Sequence, residues 1–144
     1  MPRMSNLALI VAAALVLAAC GSSDDGGSGA TGATAPTSDR PSSTAKLAIV
    51  APKVDEVVHG SSVDLRVKLQ GAKLVPATTT NIVPDEGHLH VILDDTLISM
   101  TQGLEQTIPD VPPGPHRITV EFVASDHAPF DPRVVAVVAF EVEP

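Results

Sequence analysis

Val63-Asp64-Leu65-Arg66-Val67-Lys68-Leu69 alternates without a fault, apolar at the odd positions and charged at the even ones. Successive side chains of an extended chain point to opposite faces, so these seven residues read as a strand with one buried and one wetted face. The same reading extends outward. In Gly87-His88-Leu89-His90-Val91-Ile92-Leu93-Asp94-Asp95 it places Leu89, Val91 and Leu93 on one face and His88, His90 and Ile92 on the other. The Asp pair forms a tight turn, after which Leu97 to Met100 pairs back as a hairpin partner. Short strands are expected at Leu47 to Val50 and Glu105 to Val111. His116, Ile118, Val120 and Phe122 share one parity, as do Val134, Ala136, Val138, Phe140 and Val142. The opposite face of that last strand begins with Val135, Val137 and Ala139, so its first half is expected to be covered on both sides. Lys53 to Gly60, Gly71 to Glu86 and Ser125 to Arg133 read as connections. No stretch sustains a helical period. The expected fold is all-β: an antiparallel β-sandwich of about seven strands over residues 46–144.

Composition narrows the function classes. The chain has 144 residues, a net charge of −8 and a pI near 4.8. An acidic surface argues against nucleic acid and against direct binding to anionic lipid. Three Phe, no Trp and no Tyr leave no material for a stacking platform. The core must come from Val, Ile, Leu and Ala.

Residues 1–19 carry Arg3 and then a small apolar run from Leu7 to Ala19, too short to span a bilayer comfortably. That pattern is a secretory signal peptide. Cys20 is the only cysteine, so a disulfide within the mature domain is excluded. From Gly21 to Ala45 the chain is Gly, Ser, Thr, Ala, Asp and Pro with the single cation Arg40, has almost nothing to bury, and is expected to be a disordered leash.

His88 and His90 lie about 7 Å apart at Cα if the strand reading holds, close enough to share a metal ion. A third imidazole from His127 would complete a set suited to copper or zinc. Asp126 has two readings: orienting the His127 ring, or capping its own proline-rich loop. His116 shares parity with the apolar face and reads as a corner residue; it is a reserve ligand. Met100 is the other reserve, a soft thioether for copper(I). His59 sits in a turn and reads as surface. Ser125-Asp126-His127 contains the letters of a catalytic triad, but triad members come from separated positions. No nucleophile elbow, phosphate loop or calcium loop is visible, so no enzyme is expected.

Three resemblances add to this. Leu17-Ala18-Ala19-Cys20 resembles the bacterial lipobox. It implies a lipid on Cys20 and an anchor in a bacterial cell envelope, on the extracytoplasmic side. Pro109 to Phe122 looks like the corner of immunoglobulin-like and fibronectin-type sandwiches, with His116 in the place of an inward Tyr that bonds a backbone group. More broadly, residues 47–143 resemble a little-characterised family of exported bacterial domains. The matching motifs are Gly87-His88-Leu89-His90, Pro112-Pro113-Gly114-Pro115-His116 and Asp126-His127-Ala128-Pro129-Phe130-Asp131-Pro132. That resemblance implies an exported immunoglobulin-like sandwich and no particular activity. Two readings of function stand side by side: a non-enzymatic, lipid-anchored domain that binds or spaces an envelope partner, with no cofactor, or a copper- or zinc-binding protein using the histidines.

Overall fold

A computed structural model describes residues 39–77 and 81–144. The expected signal peptide, Cys20 and most of the expected leash lie outside the described residues. Nine strands run in the order β1 (Lys46–Ala51), β2 (Glu56–His59), β3 (Val63–Gln70), β4 (Lys73–Leu74), β5 (Glu86–Leu93), β6 (Thr96–Thr101), β7 (Glu105–Ile108), β8 (Gly114–Ala124) and β9 (Pro129–Glu143). They form two sheets. One is β1-β3-β7; the other is β2-β9-β8-β5-β4, with β6 paired along the same edge of β5. Packed through one shared core, they make an all-β sandwich.

The alternating segments become the strands that carry the core. Val63, Leu65 and Val67 of β3 are buried while Asp64, Arg66 and Lys68 are exposed. Across the interface they meet Leu89 and Val91 of β5, Ile118, Val120 and Phe122 of β8, and Val138, Phe140 and Val142 of β9. Phe122 stacks on Phe130 at a centroid distance of 5.3 Å. Rings in that offset range add attraction beyond their buried area. The β5–β6 hairpin closes through Asp94 (φ 46°) and Asp95 (φ 69°), flanked by the Leu93–Thr96 pair. Two successive left-handed residues match the twist of the arms they join.

The structure differs from the sequence reading in four places. The strand count exceeds the expected seven or so because two connections contain short strands. β2 joins β9 in parallel, and β4 joins β5 in parallel at Glu86 and Gly87. Apolar patterns in such short pieces carry no usable period. β9 also begins earlier than expected, at Pro129, so Phe130 belongs to the strand and fills the core. Third, Val135 and Val137 are 40% and 55% exposed. Among the described residues no layer lies against the outer face of the larger sheet there, so the first half of β9 is covered on one side only.

Finally, ordered structure starts before Lys46. Asp85 takes hydrogen bonds from Ser43 Oγ (2.7 Å), the Thr44 amide (2.6 Å) and Thr44 Oγ1 (3.1 Å). These donors, Ser43 first, hold the Asp85 carboxyl below the usual carboxylate range. Arg40 is bound to the loop between β8 and β9, as described below. The boundary expected at Ala45 therefore moves back to about Arg40: short polar side chains that cannot form a core still anchor a segment by hydrogen bonds.

Candidate metal centre

The ladder between β5 and β8 builds the site. His88 pairs with Val123 and His90 with Glu121, and both imidazoles leave the outer face of the sheet while Leu89 and Val91 enter the core. β8 ends just beyond, and the loop that follows brings His127 back over its end. That loop is closed by the His127 amide donating to Ala124 O (3.0 Å) and the Ala124 amide donating to Ala128 O (3.1 Å). His127 sits in the left-handed region at φ 66°, which turns its side chain toward the strand pair.

Three ring nitrogens converge. His88 Nε2 lies 3.2 Å from His90 Nε2 and 3.0 Å from His127 Nδ1, and the last two are 3.4 Å apart. An ion about 2.05 Å from three tetrahedral ligands separates their nitrogens by about 3.3 Å. The observed triangle brackets that figure. His88 is 1% exposed, His90 half-buried and His127 exposed, so the cluster opens to solvent on the His127 side. Burial, then repulsion from His127 and His90, pushes the His88 pKa down to about 4. His90 is also held below its ordinary value, by burial first and His127 next, against an opposing pull from Glu121. Both rings are therefore neutral at pH 7, the form that ligates metal. His88 Nδ1 is buried without a hydrogen-bond partner among the described residues.

The remaining candidates fall elsewhere. His116 is at the other end of β8, bonded through Nε2 to Pro112 O (2.7 Å) and through Nδ1 to Asp94 Oδ2 (2.6 Å). It is the corner residue expected from the proline-glycine turn, and it is not a ligand of this cluster. Both of its nitrogens face acceptors. Burial opposes its charge, but the Asp94 and Pro112 bonds prevail and raise its pKa. Met100 is the cross-strand partner of His90 on β6, 54% exposed. That pairing puts it next to His90 on the ladder. His59 is on the surface, near Glu143 at 3.8 Å.

Asp126 takes the loop-capping role. Its Oδ1 accepts from the Ala128 amide at 3.1 Å, and its carboxylate pairs with Arg40 at 2.6 Å. The Arg40 bond is the main reason its pKa falls to about 2. Ser125 Oγ donates to Asn81 O at 3.0 Å. The Ser-Asp-His letters therefore form no triad.

Two residues near the site went unrecognised in sequence. Arg40 lies in the segment read as leash. Glu121 has the opposite parity to the apolar face of β8, yet it is 5% exposed and held bidentate by Arg133 at 2.6 Å on both oxygens. An alternating pattern announces neither partner; the β8–β9 register brings Arg133 to Glu121.

No protein-family model matches the chain, and no curated protein does. The three-motif resemblance thus stays a likeness in sequence. Among solved structures, fibronectin(III)-like modules of Clostridium thermocellum CbhA match with a TM-score of 0.46 at 18% identity, over 67% of this chain and 95% of theirs. The PKD domain of human KIAA0319 matches with a TM-score of 0.45 at 15% identity, over 83% of this chain and 93% of its own.

Proposed function

We propose that this chain is a cell-envelope lipoprotein whose β-sandwich binds one transition-metal ion, copper ahead of zinc, through His88, His90 and His127. One observation carries the reading: three nitrogens mutually within 3.4 Å. A neutral imidazole nitrogen is either a donor or an acceptor. A hydrogen bond needs one of each, and three members of a triangle cannot all differ pairwise. At least one edge therefore sets lone pair against lone pair, or proton against proton. A cation at the centre satisfies all three lone pairs at once. Imidazole donors suit copper and zinc, copper binds more tightly to a given nitrogen set, and a thioether, Met100, is next to His90 on the ladder. The reading is one of binding and assigns no reaction; Ser125 and Asp126, the other letters of the loop, are engaged elsewhere.

Titration of the full-length Cys20→Ser chain with copper(II), and separately zinc(II), tests the metal reading; that substitution removes the competing thiol. One ion per chain is expected. The His88→Ala/His90→Ala double variant should lose more than about 100-fold in affinity, since it removes ligands rather than their supports. Equal affinity in both chains, or none in either, sinks the reading.

The anchor rests on Leu17-Ala18-Ala19-Cys20 and is tested separately. Wild-type chain expressed in bacteria should incorporate labelled palmitate and sediment with membranes, because two or three acyl chains hold stably where one does not. Cys20→Ser should do neither. Palmitate labelling that survives the substitution would count against the lipoprotein.

A further inference from the structure

Arg40 reaches across the fold to grip the residues on both sides of His127. Its Nη1 donates to Asp126 Oδ2 at 2.6 Å, and its Nη2 donates to Asp126 Oδ1 at 2.9 Å and to Ala128 O at 3.1 Å. Its Nε donates to Pro129 O at 2.9 Å. Next to it, Pro41 O accepts from the Asp131 amide at 3.0 Å. The His127 ring needs this support. It is exposed, and its residue holds a left-handed backbone conformation set by the turn. His88 and His90 are fixed by the ladder; His127 is placed by its loop alone, and Arg40 straps that loop from outside.

We propose that Arg40 is a positioning residue for the metal centre, locking the 126–129 loop so that His127 Nδ1 meets the nitrogens of His88 and His90. This rests on the metal reading above. The strap and the ion then stabilise the same loop conformation, and their effects are reciprocal. Loss of the strap weakens metal binding, and metal binding tightens the strap. The guanidinium is suited to this because it holds a carboxylate with two parallel bonds while a third nitrogen faces a carbonyl. An ammonium is a point charge and cannot span the same acceptors.

The test uses the full-length Cys20→Ser chain and copper(II). Arg40→Ala should weaken copper binding about 10- to 100-fold, the range for supports of metal ligands. The stoichiometry should stay at one, and the copper(II) electron-spin spectrum should shift as the His127 nitrogen moves. Arg40→Lys should recover only part of the loss. In the metal-free protein, Arg40→Ala should speed amide exchange at His127 and Ala128 and leave the core amides of β5 and β8 unchanged. Copper should slow exchange at the Asp131 amide of the parent chain. If the parent chain binds copper and Arg40→Ala binds it as tightly with the same spectrum, the role of Arg40 is overturned. Full rescue by lysine would likewise overturn it, leaving charge alone as the cause. A parent chain that binds no copper overturns the metal reading instead, and unchanged His127 exchange in Arg40→Ala would then remove the strap as well.

Discussion

Gly87→Ala should destabilise the domain by about 3 kcal/mol, the upper end for overpacking a filled site. It should also disrupt the proposed metal centre next to it. A Cβ added at Gly87 falls inside the contact distance of the Val123 carbonyl oxygen, lies 2.9 Å from the Val123 carbonyl carbon and 3.2 Å from Phe122 Cε2. None of these can yield cheaply. The Val123 carbonyl belongs to the β8 backbone, held in the ladder where Gly87 faces Ala124 and His88 faces Val123. The Phe122 ring is pinned by its stack on Phe130 in the core. Relief requires β5 to move away from β8 at the residue that precedes His88, and the histidine moves with it. For a domain of this size the loss corresponds to a fall in melting temperature on the order of 10–20 °C. Denaturant unfolding of Gly87→Ala beside the parent chain checks the value. A change under about 1 kcal/mol would show that the strand pair absorbs a methyl group here, contrary to interiors packed at crystal-like density.

Acid should release the metal, but along a shallower curve than three ordinary imidazoles would give. Protons and the ion compete for the same lone pairs, so affinity falls as pH falls. Three free imidazoles titrating near 6.5 would approach a slope of three tenfold steps per pH unit below that value. His88 is held neutral down to about 4. Above that value at most two protons compete, and the slope of log affinity against pH should not exceed two. His90, also lowered, delays the fall further. The expected loss between pH 6.5 and 4.5 is on the order of 10²- to 10³-fold. Copper titrations across that interval in a weakly coordinating buffer check the slope. A slope near three at pH 5 would mean that His88 titrates like a free imidazole and that its burial does not control its charge.

The same depression has a consequence without metal. The folded pKa of His88 lies below its unfolded value, so the unfolded chain takes up the proton first as pH drops. Stability present above pH 6.5 is therefore lost progressively toward pH 4. His116 works in the other direction. Its folded pKa is raised, so its contribution is complete below pH 6.5 and is lost as pH rises through the raised value.

Much of this protein follows from its sequence alone. The alternation of Val63 to Leu69 makes β3, and the pattern around Leu89 and Val91 decides that His88 and His90 share the outer face of β5. The Asp94-Asp95 pair makes a hairpin, and the proline-glycine corner makes His116 a backbone-bonded residue apart from the histidine cluster. These are local facts. The period of a strand and the chemistry of a turn are written in neighbouring residues.

Tertiary structure decided the rest. His127 was a named candidate, but only the β5–β8 register and the closure of the 124–128 turn bring it within 3.0 Å of His88, 39 residues away. Arg40 looked like leash because one cation among Ser, Pro and Asp has no period to reveal it. Its function lies in acceptors 86 to 89 residues further on. Asp126 had two readings in sequence, and the arrival of Arg40 assigned it to the loop. Val135 and Val137 have the apolar pattern of a doubly buried strand, yet they are exposed because the described residues supply no third layer there. Periodicity states which residues share a face; what lies opposite that face depends on the path of the whole chain.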